Sequence, residues 1–168
     1  MTLRFPARFT AAALTLTAGA ALLTGCAAAV PLQPAANAID AGCAAVVVHL
    51  PAAVADETKR ETNAQGTGAW GDPASILLHC GVAVPGPTTQ ACVSVNGIDW
   101  IEDDSAAPTY RFTTYGREPA VEVVLDSGTV AGSTVLADLS NAVSYAPTNG
   151  SACVGAEDLQ LPEATPAP

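Results

Sequence analysis

Basic side chains are scarce in this sequence. Six Lys and Arg stand against sixteen Asp and Glu, a formal net charge of −10. A surface of that sign repels nucleic-acid phosphates and anionic lipid headgroups, so nucleic acid is not expected as a partner. Histidine is scarcer still: His49 and His79 are the only two, which leaves few bases to activate a Ser, Thr or Cys nucleophile. There is no Gly-x-Ser-x-Gly elbow. Gln65-Gly66-Thr67-Gly68 lacks the Lys-Ser/Thr and the helix start of a phosphate-binding loop. Internal repeats are absent. The apolar run over 9–23 spans only about 15 residues, too short for a membrane helix, which needs about 20. These absences predict no catalytic set, no metal and no cofactor.

What is present begins at the N-terminus. Arg4 and Arg8 precede the uncharged run over 9–23, and Leu23-Thr24-Gly25-Cys26 closes it. A basic start, an apolar middle and small residues before the cleavage point define a secretory signal, and the terminal Cys turns that signal into a lipobox. The pattern predicts a signal peptide over 1–25 and a diacylglyceryl thioether on Cys26, with further acylation such as palmitate. Several acyl chains on one residue make a stable anchor, so the expected location is the extracytoplasmic face of the cell membrane. Cleavage removes Arg4 and Arg8 but no acid, leaving four basic residues against sixteen acidic ones, a net charge of −12.

The rest is long enough for one domain with a core of its own. Residues 26–36 read as a lipid-anchored tether, 37–155 as the globular domain, and 156–168, acidic and Pro-rich, as a disordered tail. Four cysteines remain: Cys43, Cys80, Cys92 and Cys153. An even number in an exported domain predicts two disulfides. Of three pairings, Cys43–Cys80 with Cys92–Cys153 is favoured, because it ties each end of the domain to its middle. A zinc site of Cys43, His49, His79 and Cys80 matches no common spacing.

Apolar residues 39, 43, 46, 47 and 50 form a helical stripe over 38–50, with Asn37 as N-cap and Pro51 as terminator. Residues 55–74 are polar and Gly-rich and read as a long loop ending in the turn Trp70-Gly71-Asp72-Pro73. A buried strand follows over 75–80. Asn96-Gly97 predicts a type I′ hairpin pairing Val95 with Ile98 and Val93 with Trp100. A second antiparallel pair joins 110–115 to 120–125. A helix over 133–143 carries Val135, Leu136, Leu139 and Val143 on one stripe, capped by Ser133 or Thr134. Residues 145–154 are extended. The expected fold is α+β: a single antiparallel sheet of about 4–5 strands with helices packed on one face and two disulfides.

Asp99, Glu102, Asp103 and Asp104 form an acidic cluster without the Gly and distal Glu of a calcium loop, and read as a solvated loop. Trp and Arg are favoured at recognition surfaces, which makes Trp70, Asp72, Arg111 and Arg117 the candidate recognition surface. Arg111 is expected to face solvent or an acid such as Glu122.

The lipobox, the Cys43 helix, Trp70-Gly71-Asp72-Pro73, Cys80-Gly81-Val82, Val95-Asn96-Gly97-Ile98-Asp99-Trp100, the run Arg111 to Arg117 and Val121-Glu122-Val123 resemble the actinobacterial exported proteins called domain of unknown function 3515. The resemblance covers about 40–145. It implies an envelope-related role, since members are often encoded near cell-wall precursor genes, and it supplies no functional residues. The functional expectation is a membrane-anchored lipoprotein acting as a non-enzymatic binding or accessory module of the cell envelope, with an envelope protein or cell-wall polymer as partner. The alternative is a cell-wall-directed enzyme using paired carboxylates.

Overall fold

Asn96 and Gly97 take φ values of 50° and 76°, as a type I′ turn demands. They join β5 (Cys92–Val95) to β6 (Ile98–Ala106), with Val93 opposite Trp100 and Val95 opposite Ile98. Strand β7 (Thr109–Tyr115) folds back on β6, and β8 (Ala120–Asp126) on β7. Period-2 alternation puts Val121, Val123 and Leu125 on the same face as Tyr110 and Phe112. The computed structural model describes residues 28–154. The expected signal peptide over 1–25, the lipidation site Cys26 and the tail over 156–168 lie outside the described residues.

The first half makes a second meander: β1 (Ala53–Val54), β2 (Glu57–Arg60), β3 (Thr67–Trp70) and β4 (Ile76–Val82). The two meanders join where β4 pairs antiparallel with β8. The order is β1-β2-β3-β4-β8-β7-β6-β5, one antiparallel sheet of eight strands among the described residues. Residues 83–91 carry the chain from the centre of the sheet to its far edge.

Two helices complete the described fold, α1 (Ala41–Val48) and α2 (Gly132–Val143). Neither is long and apolar enough to cross a membrane. In α1, Asp40 rather than Asn37 is the N-cap, its Oδ1 accepting from Gly42 N at 2.7 Å. Asn37 is held elsewhere, its N–H donating to Gly81 O at 3.0 Å. Ile39, expected on the buried stripe, is 82 % exposed. Helix α2 starts at Gly132 after Ala131, with no side-chain cap from Ser133 or Thr134. It buries Val135, Leu136, Leu139, Ala142 and Val143.

These observations correct the expected architecture. The sheet has eight strands rather than four or five, and helices do not form a layer on one face. If the sheet were flat, β1 and β5 would stand about 34 Å apart at some 4.8 Å per strand, whereas the 12 residues of α2 span about 18 Å. Yet α2 touches both edge strands, β1 and β5. The sheet curls around α2 and buries Trp70, Ile76, Leu78, Trp100 and Val123 against it and α1. The region over 55–74, expected as a loop, supplies β2 and β3. The acidic run 99–104 lies within β6.

Cys43 is bonded to Cys80, tying α1 to the central strand, and Cys92 to Cys153, tying the C-terminal segment to edge strand β5. Along 147–153 that segment is a strap rather than a strand. Asn149 N donates to Gly116 O at 2.9 Å, and Cys153 N to Asp99 Oδ2 at 2.7 Å. Chain entropy gives each bridge about 4 kcal/mol.

Cys43 and Cys80 are fully buried, Cys92 is exposed and Cys153 partly so. Thiol exchange needs access to sulfur, so mild reduction followed by alkylation and peptide mapping should label Cys92 and Cys153 well before Cys43 and Cys80. A second expectation concerns two glycines with positive φ. At Gly81 (φ 88°) a Cβ would sit 2.3 Å from the Asn37 carbonyl carbon, whereas at Gly97 (φ 76°) it would meet nothing within 4 Å. Gly97→Ala should cost about 1 kcal/mol in urea unfolding, and Gly81→Ala clearly more.

Candidate functional site

The curl leaves a cavity between α2 and strands β5 to β8, with a volume of about 360 Å³. That lies within the range of small-ligand sites. Its walls are Val93, Val95, Tyr110, Phe112, Leu125 and Leu136. Each is there for a local reason. Val93 and Val95 occupy alternate positions of edge strand β5, beyond which no further strand pairs among the described residues. Tyr110 and Phe112 are two apart on β7 and stack with ring centroids 6.3 Å apart. Leu125 is paired opposite Tyr110, and Leu136 belongs to the buried stripe of α2. Gly132 opens α2 without a side chain; a Cβ there would lie 3.6 Å from the Phe112 ring and 3.8 Å from Leu125. The polar lining consists of Glu102, Ser127 and Ser133. Ser127 and Ser133 are exposed and mark the mouth. Apolar walls with a few polar groups at the rim bind an apolar body and orient a polar head.

A second cavity of about 360 Å³ is lined by Glu57, Asp72 and Asp126, among others. Two of its carboxylates, Asp72 and Asp126, are engaged. Asp72 pairs with Arg60 at 2.8 Å, and Asp126 accepts from Gly128 N at 2.9 Å and Thr129 Oγ1 at 3.2 Å. Acids fixed in this way are poorly placed for proton transfer to a substrate.

On the other face of the sheet, His79 on β4 stands opposite Glu122 on β8. Its Nδ1 is 3.8 Å from Glu122 Oε1, which also pairs with Arg111. Burial lowers the His79 pKa below its ordinary value; Glu122 opposes this and the Arg111 charge adds to it. Among the described residues His79 Nδ1 is buried without a hydrogen-bond partner. On β6, Asp103 is held below the usual carboxylate range first by the Ser105 hydroxyl and then by the Ser105 N–H, which donates to it at 3.0 Å.

The four residues expected to form a recognition surface do not converge. Trp70 is fully buried and donates Nε1–H to Pro51 O at 3.1 Å. Asp72 is exposed beside Arg60. Arg111 binds Glu122 on the sheet face, as its alternation suggested. Arg117 donates to Ser144 O at 3.1 Å and Ala146 O at 2.7 Å, just beyond α2, where a cation complements the helix dipole. The cavity beneath α2 was not anticipated. Its sequence signal was limited to the alternation of Val93 with Val95 and of Tyr110 with Phe112, which marks apolar faces but not the gap between them.

Fold and site define a curled antiparallel sheet closed by one helix and two disulfides, with an apolar cavity at the helix start. The family model described as protein of unknown function (DUF3515) matches residues 8–151, and the chain belongs to that family. No curated protein and no solved structure matches it.

The lowered pKa of His79 has a fixed sign for stability. The unfolded chain binds a proton at about pH 6.5 that the folded chain binds only at lower pH. Stability is thus independent of His79 above that pH and falls as pH drops through it. Thermal unfolding between about pH 7.5 and 5.5 should show this fall, and His79→Gln should flatten it.

Proposed function

We propose that this protein is an actinobacterial exported lipoprotein, held at the extracytoplasmic face of the cell membrane by lipid on Cys26, whose domain acts as a binding or accessory module of the cell envelope rather than as an enzyme. The observation that carries the binding role is the apolar cavity beneath α2, with hydroxyls and one carboxylate at its rim and neither histidine in its lining. The lipobox Leu23-Thr24-Gly25-Cys26 supports the address, as does the pair of disulfides, which suits an oxidising compartment. The strongly acidic surface supports a domain that stays soluble above the bilayer. Partners are sought among envelope proteins and cell-wall polymers.

The anchor has a direct test. Intact-mass measurement should find acyl mass on the native mature chain and none on Cys26→Ser, and the variant should leave the membrane fraction. Membrane association unchanged by the substitution would overturn the anchor. For the module, immobilised oxidised domain should capture a specific envelope component at physiological salt; recovery of nothing across a range of salt would count against it.

A further inference from the structure

We propose that the cavity beneath α2 holds the acyl chain of a membrane glycerolipid. Delivery from the bilayer rests on the anchored reading above; the cavity's chemistry does not. Three observations converge.

The first is size and lining. A water-sized group fills about 30 Å³, so 360 Å³ accommodates on the order of a dozen methylene-sized groups. The walls are aliphatic and aromatic. Leu125 and Leu136 are almost fully buried at the floor, and the exposed Ser127 and Ser133 mark the mouth. An apolar pocket of this volume with hydroxyls at its mouth suits a hydrocarbon tail with a polar head.

The second is where the chain leaves the fold. Residues 28–32, expected as part of a free tether, are fastened to the domain. Val30 N donates to Glu61 O at 2.8 Å, Leu32 N to Asn63 Oδ1 at 2.8 Å, and Arg60 Nη2 to Ala28 O at 3.2 Å. Only Ala27 separates Ala28 from Cys26, and two residues reach at most about 7 Å. Acyl chains on Cys26 would hold the Arg60 end of the domain at the membrane surface.

The third is register. Lys59, Trp70, Ile76, Leu125 and Tyr110 are successive partners across β2, β3, β4, β8 and β7. This row puts Arg60 and the cavity's Tyr110 and Leu125 at the same end of the sheet. Ser127 at the mouth follows directly from the end of β8. The anchor thereby turns the mouth toward the bilayer that supplies the ligand. Glu102 at the rim disfavours a net-negative head and favours one bearing an ammonium.

The test uses the oxidised mature-length chain carrying Cys26→Ser, which has no acyl group of its own. The chain is incubated with vesicles of equal phosphatidylethanolamine and phosphatidylglycerol, separated from them by flotation, and examined by native mass spectrometry. The expected result is one bound lipid per chain, enriched in phosphatidylethanolamine, with the enrichment lost in Glu102→Gln. Gly132→Trp projects an indole against Phe112 and Leu125 and should lower lipid recovery at least tenfold, with circular dichroism and the disulfide map unchanged. Val95→Trp narrows the cavity from the opposite wall and serves if Gly132→Trp does not fold. Recovery of no lipid, or equal recovery from a folded cavity-filling variant, would overturn the proposal. Preference for phosphatidylglycerol would overturn the place given to Glu102. Because the chain tested is unacylated, these outcomes are independent of whether native Cys26 carries lipid.

Discussion

Burial of one side of α2 is the constraint on which the structure depends. An eight-stranded sheet has more apolar face than two short helices can cover as a flat layer. It reaches a closed core only by bending until both edges approach the same helix. Val135, Leu136, Leu139 and Val143 supply the surface about which it bends. The bend is held at separate points. Asp138 of α2 accepts from Ala55 N at 2.8 Å, fixing the turn between β1 and β2. Arg117 binds the carbonyls that follow the last turn of α2. The Cys43–Cys80 bridge ties α1 to the central strand. Each contact joins parts of the chain far apart in sequence, so the curl is a tertiary property.

The cavity arises from the same constraint. Where α2 starts, Gly132 offers no side chain, and strand β5 ends the sheet with only four residues. The curl closes fully along the middle of the helix and incompletely at its first turn. Apolar walls remain there without a side chain to fill the space, and the rim falls where the chain returns to solvent at Ser127 and Ser133. The cavity and the tightness of the core are thus set by one helix.

Legibility in the sequence followed the range of the interactions. The hairpin at Asn96-Gly97, the pairing of β7 with β8 and the stripe of α2 were readable because turn chemistry and periodicity are local. Strands β2 and β3 were not. Glu57-Thr58-Lys59-Arg60 is polar throughout, as suits a strand near a sheet edge. Thr67-Gly68-Ala69-Trp70 is buried at every position and so shows no alternation. Gly68 there leaves room for the Trp70 ring, since a Cβ would lie 2.8 Å from it. Trp70 was a candidate for the recognition surface only because Trp favours such sites; its N–H finds Pro51 O and its ring fills the core. The cavity was hidden for a different reason: its walls come from five elements, and no window of sequence contains them.

The seam between β4 and β8 also divides the chain by order of synthesis. A polypeptide is made from its N-terminus, so α1 and β1 to β4, with both Cys43 and Cys80, are complete before any of β5 to β8 exists. The first bridge lies wholly within that leading half. Cys153 comes near the end of the described chain and reaches back 61 residues to Cys92, so the second bridge must wait for nearly everything else. The chain therefore emerges in two parts: a leading one that carries one whole bridge, and a trailing one that must return to it, pairing β8 with β4 and tying the strap to β5.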